Sequence, residues 1–161
     1  MIINNKIFCH THSLAIYCAK KSGLYDSKDF KILIINQVID WANEITIKIA
    51  PSIRAVMREK NIEKFKRLRI EFIKNDLIKW FGYLENLLNN FSLNKKFFTD
   101  KFSIADITAW RVITWFTSGK LDMIDKSFLK EFPVLKSYFS NLNSYKPLIK
   151  LKEYRSIVES D

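Results

Sequence analysis

The chain has 161 residues, 48% of them hydrophobic and 14% aromatic, with a net charge of +10. This is enough apolar material for one domain with a sizeable core, and it excludes a disordered chain. Three glycines and three prolines are too few for an all-β protein with many tight turns, so the balance favours long helices joined by short loops.

The first element is extended. Ile2, Ile3, Lys6, Ile7 and Phe8 read as two short β segments around an Asn-Asn-Lys turn. A first helix follows over Ser13 to Ser22, with Leu14, Ala15, Ile16, Cys18 and Ala19 as its apolar face. Thr11 or His12 precedes it and Gly23 closes it. Asp26 or Ser27 can cap a long second helix, in which Phe30, Ile34, Val38, Trp41, Ile45 and Ile49 recur every three or four residues. Pro51 either kinks or ends it. Asn61 can cap a third helix whose apolar stripe runs Phe65, Leu68, Phe72, Leu77, Phe81, Leu84, Leu88 and Phe91, at spacings of three, four and five. Asn94 to Lys101 is a loop.

Ser103 and Asp106 then stand three residues apart, the pattern of a capping box with Asp in the acidic place. From Ile104 to Ser118 only Asp106 and Arg111 are charged. Such a helix is apolar on every side and belongs at the centre of a domain. Gly119 ends it. A short connection over Lys120 to Lys130 leads to a helix opened by Pro133. A last short helix runs from Pro147 through Leu151, ahead of a polar tail.

The charge is compatible with nucleic acid or anionic surfaces. Its densest patch is Arg58 to Arg69, and no stacking aromatics are interleaved with it in the manner of a nucleic-acid groove. A solvated lysine-rich surface accounts for most of it. Cys9 and Cys18 lack metal-ligand spacing, and Cys9, His10 and His12 have no further ligand pair. A reduced, cytoplasmic setting is therefore expected, with no metal. No run approaches the length of a membrane span, and Met1 to Lys6 does not open a signal segment.

Taken in order, these motifs resemble the glutathione S-transferases, and sigma-like members in particular. Thr-His-Ser-Leu-Ala-Ile at Thr11 to Ile16 resembles the family's Gln-Ser-x-Ala-Ile, and Gly23-Leu-Tyr-Asp resembles its Gly-Leu-x-Gly. Phe102-Ser-Ile-Ala-Asp, Phe132-Pro-Val-Leu-Lys and Lys146-Pro-Leu-Ile-Lys resemble its Leu-Thr-x-Ala-Asp, Pro-x-Leu and Pro-x-Ile series. Trp115-Phe-Thr-Ser-Gly-Lys-Leu-Asp is similar to sigma-like versions.

The resemblance implies an all-α bundle like the family's C-terminal helical domain over residues 26–161. Residues 1–25 would be a remnant of the thioredoxin-like domain, its last hairpin and last helix. Glutathione is the implied co-substrate. Ser13 matches the serine that holds the γ-glutamyl carboxylate, although Ser13 also reads simply as a helix cap. His12 stands where the family has Gln or Glu. Glu44, closing Val38-Ile-Asp40-Trp-Ala-Asn43-Glu44, takes the place of a sigma-type carboxylate that reaches glutathione on the neighbouring subunit. It also reads as a solvent-facing helix residue. No position matches the family's thiolate-stabilising Tyr, Ser or Cys, and no proline precedes Pro51, so no catalytic residue is assigned. Trp110, Trp115 and Phe116 read as core before they read as an electrophile pocket. The resemblance implies conjugation of glutathione to electrophiles if the missing half is supplied. A non-catalytic scaffold, in a homodimer, with a protein partner or in an RNA-associated complex, is the alternative.

Overall fold

The computed structural model describes the backbone of residues 1–158 and the side chains through Glu153. Strands β1 (Ile2–Ile3) and β2 (Lys6–Ile7) pair antiparallel, Ile2 with Ile7 and Ile3 with Lys6. Asn4 and Asn5 turn the chain at φ 49° and 60°, a left-handed pair that asparagine tolerates and that suits a two-residue hairpin. Seven α-helices follow among the described residues: α1 (Thr11–Lys21), α2 (Asp29–Met57), α3 (Ile62–Phe72), α4 (Ile78–Phe91), α5 (Ile104–Thr117), α6 (Pro133–Asn143) and α7 (Lys146–Val158).

Helix α2 is 29 residues long and continues through Pro51. The proline leaves the Ile47 carbonyl without its amide, and Ile47 is exposed, so water can serve that oxygen. Ile35, Val38, Trp41, Ile45 and Ile49 are fully buried and form the spine of the core. Phe30 lies at the open end of the stripe and meets Phe91 edge-on, ring centroids 5.8 Å apart.

The third predicted helix is one rod made of α3, a π turn at Ile73–Leu77, and α4. The one five-residue step in its apolar stripe, Phe72 to Leu77, spans this turn, and a π turn accommodates such an extra residue. Asn61 caps the rod, its Oδ1 accepting the Lys64 amide at 2.9 Å. Phe81 in α4 gathers Trp41, Phe116 and Phe128 around itself at centroid distances of 5.5, 5.3 and 4.7 Å. Across the bundle, the Trp41 indole donates to the Trp80 carbonyl at 2.7 Å and the Trp110 indole to Asn143 Oδ1 at 3.1 Å. Arg69 of α3 is 2% exposed; it donates to Ser52 Oγ on α2 at 3.0 Å and to the Asp122 carbonyl at 2.8 Å.

Within α5 only Arg111 is exposed, so the expectation of a central helix holds. Its capping box forms. The buried Asp106 carboxylate accepts the Ser103 amide at 2.8 Å, the Ser103 hydroxyl at 3.0 Å, the Phe98 amide at 3.0 Å and the Tyr138 hydroxyl at 2.9 Å. The Ile104 amide finds the Leu24 carbonyl at 2.9 Å, which ties the stretch between α1 and α2 to the start of α5.

Three expected boundaries move. Helix α1 starts at Thr11, with His10 at φ 69° ahead of it, so Ser13 is the third helical residue and not the cap. Helix α2 starts at Asp29 behind Lys28. Asp26 stands further upstream, where its Oδ1 accepts the amides of Ser27 and Lys28 at 2.8 and 3.0 Å. Helix α7 starts at Lys146 and runs past Leu151 to Val158, since the Lys and Glu that follow are good helix formers. The last of the polar tail, residues 159–161, lies outside the described residues.

Candidate functional site

The amides at the start of α1, those of Thr11, His12 and Ser13, precede the first intrahelical bond, Leu14 amide to His10 carbonyl at 3.1 Å. No acidic side chain occupies this first turn. The positive end of the helix dipole is therefore open to an anion. Ser13 is exposed, and its hydroxyl makes no hydrogen bond among the described residues.

His12 Nδ1 lies 3.1 Å from Asp40 Oδ1, with both side chains partly exposed. A contact to a carboxylate places the proton on Nδ1 and leaves Nε2 free. This pairing fastens the start of α1 to α2. Asp40 and Glu44 are one turn apart on α2 and share a groove of about 400 Å³ with Gln37, Trp41, Lys79, Trp80 and Tyr83. The Tyr83 hydroxyl donates to Gln37 Oε1 at 2.7 Å. Burial, and then the Glu44 charge, push the Tyr83 phenol above its ordinary value. Of the sequence-derived candidates, the structure thus joins His12 to the helix that carries Glu44. Ser13 stands beside His12 without touching Glu44.

The other expected groups separate. Trp110 and Phe116 are buried in the core. Trp115 is half-buried and lines a second cleft, of about 420 Å³, with Thr46, Ala50, Ile53, Arg54, Met57 and Arg58. Sequence reasoning missed Arg54 and counted Arg58 only in the basic patch, although their four-residue spacing beyond Pro51 places them on one helical face. Cys9 and Cys18 are free and exposed. Among the described residues no three His, Cys, Asp or Glu side chains gather as metal ligands, and no helix is long and apolar enough to cross a membrane. The basic patch of Arg58 to Arg69 is less than its sequence suggests. Arg69 is buried, Lys64 pairs with Glu59 at 2.7 Å and Lys66 with Glu63 at 3.5 Å.

Ser103 and Asp106 are buried and hold the interior. Asp106 is raised from 3.8 to about 6 because desolvation outweighs the four donors that favour its charge. Tyr138 is pushed well above its ordinary value by burial and by the adjacent Asp106 charge.

Comparison with known proteins places this geometry. The Pi-class glutathione S-transferase of Onchocerca volvulus has a similar structure, with a TM-score of 0.74 over 96% of this chain and 69% of that one, at 17% sequence identity. No curated protein sequence matches the chain. The family described as glutathione S-transferase, C-terminal domain, matches residues 49–156. The chain therefore belongs to the glutathione S-transferase family, by the C-terminal helical domain that spans most of its length.

Proposed function

We propose that this protein takes part in conjugating glutathione to electrophiles, in the manner of sigma-like members of its family. The observation that carries the reading is the open start of α1: three unpaired amides, the free Ser13 hydroxyl, and His12 anchored to Asp40. Such an end suits a carboxylate, and glutathione presents one on its γ-glutamyl residue. Residues 1–25 act in this reading as the trailing part of a thioredoxin-like half, and residues 26–161 as the helical half. Glu44, exposed on α2, serves the glutathione amino group of a second subunit, so the working unit is a homodimer. In the conjugation itself the glutathione thiol gives its proton to solvent, and the thiolate forms a carbon–sulfur bond as the electrophile either expels its leaving group with the bonding pair or opens an activated double bond whose carbanion takes a proton from solvent. A donor that stabilises this thiolate comes from the thioredoxin-like half, since no position here matches it.

The test is calorimetric titration with glutathione. The chain binds it, and Ser13→Ala weakens binding on the order of tenfold, as expected for a lost hydrogen bond to a charged group. Equal affinity of the variant would overturn the assignment of Ser13. Absence of binding by the parent chain would favour the non-catalytic scaffold instead.

A further inference from the structure

Helix α6 presents Lys136, Phe139, Ser140 and Asn143 along one face, at the three- and four-residue spacing that stacks side chains on a helix. With the last turn of α5 and the connection that follows it, this face bounds a cleft of about 340 Å³, in the size range of small-molecule pockets. Lys126 and Lys130 enter the cleft from the connection, and no Asp or Glu lines it. None of the three lysines makes an ion pair among the described residues. Asp125, which feels the Lys130 charge, has its oxygens taken by the Ser127 amide at 2.8 Å and the Ser127 hydroxyl at 2.9 Å. Three like charges around one hollow repel one another. The negative end of α5 accounts for Lys126, whose arm lies across Gly119 in space that a Cβ would fill, but not for Lys130 and Lys136.

Two further donors are left open. Asn143 Oδ1 accepts the Trp110 indole at 3.1 Å and Lys152 Nζ at 3.0 Å. Both partners can only donate, so the amide oxygen is fixed toward them and its two N–H groups stay unused. The Ser140 hydroxyl is exposed and makes no hydrogen bond among the described residues. Beside these donors the Phe139 ring is half-covered.

We infer that this cleft binds a small organic phosphate. The Lys126, Lys130 and Lys136 ammonium groups surround the phosphate, Asn143 and Ser140 donate to its remaining oxygens, and the organic body lies against Phe139. A phosphate ester carries close to two charges at neutral pH and has three acceptor oxygens, which suits several lysine point charges better than a singly charged anion does. The cleft shares no residue with the start of α1 or with the Trp115 cleft, so the inference is independent of glutathione binding.

The test is calorimetric titration of the whole chain, at low ionic strength, with phenyl phosphate, benzenesulfonate and inorganic phosphate. The parent binds phenyl phosphate several-fold more tightly than either of the others. Equal affinity for benzenesulfonate would overturn the preference for a dianion, equal affinity for inorganic phosphate would overturn the role of Phe139, and no binding of phenyl phosphate would overturn the site. Lys126→Gln/Lys136→Gln, with its fold checked by circular dichroism, binds phenyl phosphate on the order of tenfold more weakly. Lys66→Gln/Lys74→Gln, which removes the same charge from the exposed side of the rod, keeps the parent affinity. An equal loss in both double variants would assign the binding to net charge and overturn the cleft. Ser140→Glu puts a carboxylate among the lysines and weakens phenyl phosphate at least as much, and unchanged affinity there would overturn the location.

Discussion

Asp106 brings four donors to one buried carboxylate, two from Ser103 and one each from Phe98 and Tyr138. Only the Ser103 part was legible in sequence, because a capping box is local and has a fixed spacing. Phe98 and Tyr138 arrive from a loop and from α6, and no spacing rule announces such partners. The raised carboxyl has a consequence for stability. Its ordinary value is 3.8 and its folded value about 6, so between these the folded chain binds more protons than the unfolded one. The contribution from Asp106 is complete below about pH 4 and is lost as pH rises through about 6, on the order of 3 kcal/mol across the span. Asp26, Asp100 and Asp125 are lowered instead, by backbone amides, Lys31 or Ser127; what they contribute is present above about pH 4 and lost on acidification. In urea titrations from pH 4 to 7, Asp106→Asn should lack the fall between about 4 and 6. It should also be less stable by about 1–3 kcal/mol near pH 4, where an amide nitrogen faces the Ser103 donors.

At the scale of elements, α2 and α3 are locked by a charge inside the bundle. Arg69 is buried against the Phe65 ring, 5.2 Å from its centroid, and its value is lowered by desolvation. Two neutral acceptors, Ser52 and the Asp122 carbonyl, take its donors. The sequence placed Arg69 in a basic patch, since charge alone does not say which lysine or arginine points inward. The helical wheel does, because Arg69 follows Phe65 by four residues and precedes Phe72 by three. Arg69→Ala should cost about 3 kcal/mol in chemical denaturation, while Arg67→Ala, on the exposed side, should change stability by less than about 0.5 kcal/mol. The five-residue step in the apolar stripe was likewise present in the sequence and marks the π turn. The start of α1 was misplaced by two residues, because His10 adopts a left-handed conformation that no local residue preference foretells.

For the whole molecule, the helical bundle was readable and the relation between its parts was not. Motif order pointed to Ser13 and Glu44, whereas the His12–Asp40 contact depends on how α1 lies against α2. The hairpin just ahead of α1 stands uncovered: Ile2 is 71% exposed and Ile7 82%, paired side by side on two-residue strands with open edges. Such a surface favours self-association. Sedimentation should show the average mass of the parent chain rising with concentration. Ile2→Lys/Ile7→Lys should reduce that rise, and an identical rise in both would assign the association to the helices.

The π turn also settles an angular question. Residues in an ordinary helix advance about 100° each, so a step of five leaves the second side chain about 140° away from the first when viewed down the axis. Wound in that way, the rod would aim Phe65, Arg69 and Phe72 at α2 and turn Leu77, Phe81, Leu84 and Leu88 away from it. The wider turn at Ile73–Leu77 cancels that rotation. Both halves of the rod therefore look at the same neighbour, and Phe81 reaches Trp41 of α2 by virtue of one supernumerary residue.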